Sequence, residues 1–163
     1  MTIRPARPED AEAIAAIWNV VIDDTAVTFT TERKTVSGLQ ADIAARGPAF
    51  QVAEDTGRVL GFATYFPFRG GPGYAFTKEH SIQLAPEGRG RGLGRALMAA
   101  LENAARAEGV HSLWAGISGE NPSGMAFHAA LGFVEVARLP QVGRKFDRWM
   151  DLVLMQKFLS SPR

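Results

Sequence analysis

The stretch Glu87-Gly88-Arg89-Gly90-Arg91-Gly92-Leu93-Gly94-Arg95 interleaves arginines with glycines, just ahead of a leucine-striped segment. Glycine lets a backbone turn sharply and approach a bound group closely. The start of a helix points unpaired N–H groups at the same place, and the arginines add formal positive charge. Together these suit a phosphate or pyrophosphate. Two common phosphate patterns fail on spacing. The dinucleotide pattern needs a third glycine where Leu93 or Arg95 stands, and no Gly-Lys-Ser/Thr follows the loop. The plainer reading is a glycine-eased strand-to-helix turn with solvated arginines.

The elements that must position this turn follow from periodicity and punctuation. A short strand at Ile3–Ala6 leads into Arg7-Pro8-Glu9-Asp10, and Ala13, Ile14, Ile17, Val20 and Val21 predict a helix over about residues 9 to 22. Thr25–Thr31 reads as extended or irregular, and a weaker helix runs from Val36 to Ala45 and stops at Arg46-Gly47-Pro48. Strands Phe50–Glu54 and Val59–Phe66 are joined by Asp55-Thr56-Gly57, a hairpin signal. A glycine- and proline-rich loop, Pro67–Tyr74, precedes a strand at Thr77–Leu84. Leu93, Leu97, Leu101 and Ala104 stripe a helix that Gly109 closes. A strand at Leu113–Ile117, a helix over about 123 to 131, and strands at Phe133–Ala137 and Trp149–Met155 complete the chain. The order β-α-α-β-β-β-α-β-α-β-β predicts a mixed α/β (α+β) sheet packed by helices, in one domain over residues 1–163.

Composition narrows the function classes. With 46% hydrophobic and 21% charged residues, the chain has enough apolar material for a core and is not disordered. A net charge of +1 gives no overall field for nucleic acid or a membrane, so neither is expected as a partner. The absence of cysteine removes disulfides, thiolate nucleophiles and thiolate metal sites. No apolar run reads as a signal peptide or a membrane span, and a cytoplasmic protein is expected. His80, His111 and His128 lack metal-ligand spacing, so no metal is expected.

Arg89-x-x-Gly92-x-Gly94 resembles the pyrophosphate-binding signature of the GNAT acetyltransferase superfamily, Gln/Arg-x-x-Gly-x-Gly/Ala. Asn121-Pro122-Ser123 followed by Phe127-His128-Ala129-Ala130-Leu131-Gly132-Phe133 resembles the next motif of that family, although many members carry tyrosine where His128 stands. The resemblance implies a mostly antiparallel sheet of about six to seven strands, splayed in the middle and packed by about four helices. It implies acetyl-CoA as co-substrate. Its pyrophosphate would lie on Gly90, Arg91, Gly92, Leu93, Gly94 and Arg95, with Arg89 as the first signature residue. The arm would lie along Ile82, Gln83 and Leu84, with a further contact from Asn121, which alone reads as a helix cap.

More narrowly, Thr77-Lys78-Glu79-His80-Ser81 and Pro140-Gln141-Val142-Gly143-Arg144-Lys145-Phe146-Asp147-Arg148-Trp149-Met150-Asp151-Leu152 resemble the phosphinothricin and methionine sulfone/methionine sulfoximine acetyltransferases. Val27–Glu32 is more similar to the phosphinothricin members. The implied reaction is direct N-acetylation of a small amino acid, in a homodimer. A protonated amine must lose a proton before it attacks, and Glu79 is the candidate base. Strand alternation puts Glu79 and Ser81 on one face and His80 on the other. His128 is the candidate donor to the leaving thiolate, and a backbone N–H near Leu84 would meet the oxyanion. Phe29, Arg69, Gly70, Gly71, Glu79, His80 and Ser81 are the expected acceptor contacts, with Arg69 pairing a carboxylate. Segment 142–149 reads as a charged hairpin loop with Trp149 as a core anchor. The residues leave two alternatives open: another amine, such as a polyamine, an aminoglycoside or a protein N-terminus, and a non-catalytic acetyl-CoA sensor.

Overall fold

A computed structural model describes residues 1–160. Seven strands form one open mixed sheet: β1 (Thr2–Pro5), β2 (Phe50–Asp55), β3 (Arg58–Pro67), β4 (Thr77–Leu84), β5 (Ser112–Ser118), β6 (Val134–Lys145) and β7 (Arg148–Phe158). Their spatial order is β1-β2-β3-β4-β5-β7-β6, antiparallel throughout except for the parallel β4–β5 pair. Among the described residues four α-helices cover its faces: α1 (Ala11–Asp24), α2 (Val36–Arg46), α3 (Leu93–Ala107) and α4 (Pro122–Ala130).

Each face of the sheet carries its own core. Ile14, Trp18 and Ile22 of α1 and Leu39 and Ile43 of α2 recur at helical spacing and bury themselves on Phe50, Val52 and Phe62. On the other face Leu93, Leu97 and Leu101 of α3 pack on Ala63, Leu113 and Val153. Alternation along β2 and β3 feeds both cores, with Val52 and Phe62 on one side and Ala53 and Ala63 on the other. Each fully buried leucine contributes about 2 kcal/mol through loss of apolar contact with water. Thr35 caps α2 through its hydroxyl, which accepts the Gly38 N–H at 3.1 Å.

The parallel contact is short. β4 pairs with β5 only from Thr77 opposite Ser112 to Glu79 opposite Trp114. β3 meanwhile follows β4 to its end, with Gly61 opposite Leu84. His80 to Leu84 therefore have no partner on the β5 side, and the sheet opens there.

Two expectations fail at the C-terminal end. The last strands are far longer than Phe133–Ala137 and Trp149–Met155, forming a hairpin that turns on Phe146 and Asp147, both at positive φ. Pro140 and Gln141 disguise the strand, because the register shifts between Leu139 and Gly143. A proline is tolerated there because β6 lies at the sheet edge. Trp149 is no core anchor. It is 56% exposed, and the Arg144 guanidinium lies 5.0 Å from its ring centroid.

Candidate active site

The turn between β4 and α3 is built from main-chain donors. Gly90 and Gly92 adopt φ values of 72° and 78°, which side chains rarely tolerate, and nothing lies within 4 Å of where a Cβ would stand on either. No N–H from Gly90 to Arg95 finds an acceptor among the described residues, and the first helical bond runs from Ala96 to the Gly92 carbonyl. These amides and the positive end of α3 make a cradle that fits a diphosphate. The surrounding arginines differ in availability. Arg91 is paired with Asp55 at 2.5 Å, whereas Arg89 lines the main cavity and Arg95 a smaller one against the turn.

The main cavity, about 850 Å³, occupies the gap between the parted strands. Ser81 to Leu84 of β4 form one side and Ala115 to Ser118 of β5 the other. On the α3/α4 side it is closed by Gly94, Asn121, Phe127 and His128, and on the α1/α2 side by Trp18, Phe29 and Phe66. It is therefore lined from both faces of the sheet. Asn121 does two things: its Oδ1 accepts the Gly124 N–H at 3.0 Å and caps α4, leaving its Nδ2 available to donate.

Glu79 and His80 point to opposite faces, as alternation requires. Glu79 lies on the α1/α2 side beside Gly116, where an added Cβ would sit 3.7 Å from Oε2. Its carboxyl makes no ion pair or side-chain hydrogen bond among the described residues, and burial alone pushes its pKa above the ordinary carboxylate value. His80 turns toward α4, where its Nε2 lies 2.9 Å from Nε2 of His128. The His128 Nδ1 is 2.7 Å from the Gly124 carbonyl, which can only accept, so that nitrogen carries the proton. The neutral His128 ring then accepts from His80 through Nε2. Burial lowers the pKa of both rings, and for His80 the proximity of His128 adds to it. Both nitrogens of His128 are thus already bonded, so giving a proton to a thiolate requires one of those bonds to open.

The acceptor contacts expected from sequence divide into two groups. Phe29, His80 and Ser81 line the cavity, and Glu79 borders it through Gly116. Arg69, Gly70 and Gly71 do not line it in the single chain; all three are exposed on the loop after β3. That loop adjoins Glu79, because Phe68 stacks on Trp114, the register partner of Glu79. Sequence reasoning passed over Lys34 and Arg46, which line the acceptor side. Arg46 donates to Thr64 Oγ1 at 3.0 Å and lies 5.4 Å from the Phe66 centroid; Thr64 and Phe66 face Ser81 and Glu79 across the strands. No local signal marks these cations: Arg46 is brought to the site by its bond to Thr64 of β3, and Lys34 by the bonds of its main chain to Asn19 of α1.

The sequence pattern of the acetyltransferase (GNAT) family matches residues 14–133. The L-amino acid N-acyltransferase MnaT of Escherichia coli is 40% identical over 96% of this chain and 92% of its own length. The L-methionine sulfoximine/L-methionine sulfone acetyltransferase of Salmonella typhimurium is 38% identical over 96% of this chain and 93% of its own. The structure of yncA from Salmonella typhimurium with its cofactor acetyl-CoA superposes with a TM-score of 0.94 at 36% identity, covering 100% of this chain and 96% of that one.

Proposed function

The chain belongs to the GNAT acetyltransferase family, and on that premise we propose that it transfers acetyl from acetyl-CoA to the α-amine of a small amino acid or analogue. Methionine sulfone, methionine sulfoximine and phosphinothricin are the acceptors that suit the reading. The observation that carries it is the cavity lined from both faces of the sheet, which reaches Arg89 and Gly94 of the glycine turn on one side and the face on which Glu79 lies on the other.

Acetyl-CoA, when bound, supplies an acyl group activated as a thioester. The amides of Gly90 to Arg95 hold its pyrophosphate, with Arg89 and the Asn121 Nδ2 beside it. The unpaired edge of β4 at Ile82, Gln83 and Leu84 receives the arm, and a free N–H near Leu84 faces the acyl oxygen. Glu79 accepts the proton that the acceptor ammonium must lose. A carboxylate with a raised pKa holds that proton better than an exposed one. His128 and its partner His80 border the same cavity; once a bond of the pair opens, an imidazole N–H would give the departing thiolate its proton, and the second proton shed by the acylated nitrogen would restore the ring. Transfer is direct within one ternary complex, and no side chain carries the acyl group.

On the acceptor side Lys34 and Arg46 stand with two carboxylates, Asp42, which pairs with Arg46 at 3.8 Å, and Glu79, while Arg69 stands on the adjoining loop. Lys34 and Arg69 are the cations left to meet an acceptor carboxylate. Working as a homodimer in the cytoplasm is part of the proposal and rests on the family resemblance. A thiol-release assay with acetyl-CoA against amino acids and polyamines tests the function. Turnover of methionine sulfone and none of polyamines is expected; saturable CoA binding with no release from any amine would make the chain a sensor.

A further inference from the structure

One wall of the acceptor cavity has no scaffold of its own. Thr25, Val27, Thr28, Phe29 and Thr30 line it, yet no backbone-to-backbone hydrogen bond ties residues 26–34 to the rest of the described chain. Further along, Asn19 secures Lys34 through both its amide and its carbonyl. Something else must fix the stretch that touches the acceptor.

The edge strand β6 supplies two anchors. Lys145 is only 4% exposed, and its Nζ donates to the carbonyls of Thr25 at 2.6 Å and Thr28 at 3.0 Å. An ammonium is withdrawn from water at high cost unless its donors are bonded, and here two main-chain oxygens of the wall take two of its three N–H groups. Two residues earlier, on the same face of β6, stands Gly143. A Cβ there would come within 2.4 Å of the Phe29 ring, so the ring lies directly on bare backbone. Lys145 thus sets the main chain of the wall, while Gly143 sets the depth of its aromatic side chain.

We propose that Lys145 is a positioning residue for the acceptor, acting through Thr25, Thr28 and Phe29 with Gly143 as the seat of the ring. The proposal rests on the acetyltransferase reading above. Lys145 touches neither substrate in this account. Its contribution is the placement of Phe29 opposite Ser81 and Gly116, which sets how wide an acceptor side chain the pocket accepts.

The test combines steady-state kinetics with NMR of the Phe29 ring on Lys145→Met and Gly143→Ala. A wall displaced by even an ångström lowers productive binding of the acceptor, so its KM rises about tenfold or more in both variants. The KM for acetyl-CoA, bound across the sheet, stays unchanged. NMR signals of the Phe29 ring shift as it leaves its seat on Gly143, while those of the turn ahead of α3 keep their wild-type positions. An unchanged acceptor KM in the folded variants overturns the proposal, and so does an equal loss for both substrates. Should Lys145→Met fail to fold, Gly143→Ala carries the kinetic arm alone. A wild-type chain that releases no thiol with any amino acid ends the acetyltransferase reading, and the ring signals still decide the anchor: a Phe29 ring unmoved in both variants overturns it.

Discussion

Glu79 stands opposite Trp114 at the last register pair of β4 and β5, so the candidate base sits where the sheet begins to open. Its side chain has no cation beside it and is raised by burial alone. Replacing Glu79 with glutamine keeps the volume and removes the proton acceptor. We expect kcat to fall by about 10²- to 10³-fold with little change in the KM for acetyl-CoA. Equal losses in turnover and in acetyl-CoA affinity, measured by steady-state kinetics and calorimetry, would contradict its role.

The pH profile follows from the same carboxyl. As the proposed base Glu79 must be ionised, so kcat/KM should fall as pH drops through its raised pKa. The inflection belongs above the ordinary glutamate value and should vanish in Glu79→Gln.

His80 and His128 make a contrasting claim. Burial lowers both, so each ring should take up its proton below the ordinary histidine value. Ring signals followed by NMR should show neither histidine titrating near its usual pKa. A kcat/KM inflection near 6.5 that disappears in His128→Gln would show instead that His128 ionises and serves as the acid.

The amide cradle makes a separable prediction. Gly92 has a φ of 78° beside open space, so Gly92→Val strains the backbone and puts a side chain where the diphosphate would lie. Calorimetry should find CoA affinity at least about tenfold weaker, the equivalent of about 1.4 kcal/mol. Undiminished affinity would place the pyrophosphate elsewhere.

Away from the site, Arg4 links β1 to the start of α1. Its guanidinium grips both oxygens of Asp10, at 2.8 and 2.9 Å, and also donates to Glu54. Burial pushes the Asp10 carboxyl up, but the bonds from Arg4 and from the Arg7 amide outweigh it and hold it below the ordinary value. A carboxyl lowered in the folded state adds stability that is present above its unfolded pKa of 3.8 and lost as pH falls through the lower folded value. Asp10→Asn leaves Arg4 half-paired and should cost about 3 kcal/mol at neutral pH, read from denaturant unfolding. The difference from wild type should shrink in acid.

How much of this was legible in the sequence depended on how local the cause was. The leucine stripe of α3, the Thr56-Gly57 turn and the run of glycines around Arg91 carry their structure in neighbouring residues. The order of elements and the amide cradle could be read from them. The β6–β7 hairpin could not, because Pro140 and Gly143 break its alternation and only pairing with β7 identifies it as strand. Lys34, Arg46 and Lys145 were missed for a related reason. Each is an ordinary cation until distant segments fold against it: Arg46 meets Thr64, and Lys145 meets Thr25 across 120 positions of chain. Arg69 shows the converse, a residue conspicuous in sequence that lies outside the cavity of the single chain.

The parting of β4 and β5 has a further effect on traffic. The cavity is lined from both faces of the sheet, so in the proposed reaction carrier and amine would occupy opposite halves of it, and neither would have to leave before the other enters. Inhibition by CoA should therefore compete with the donor and not with the amine.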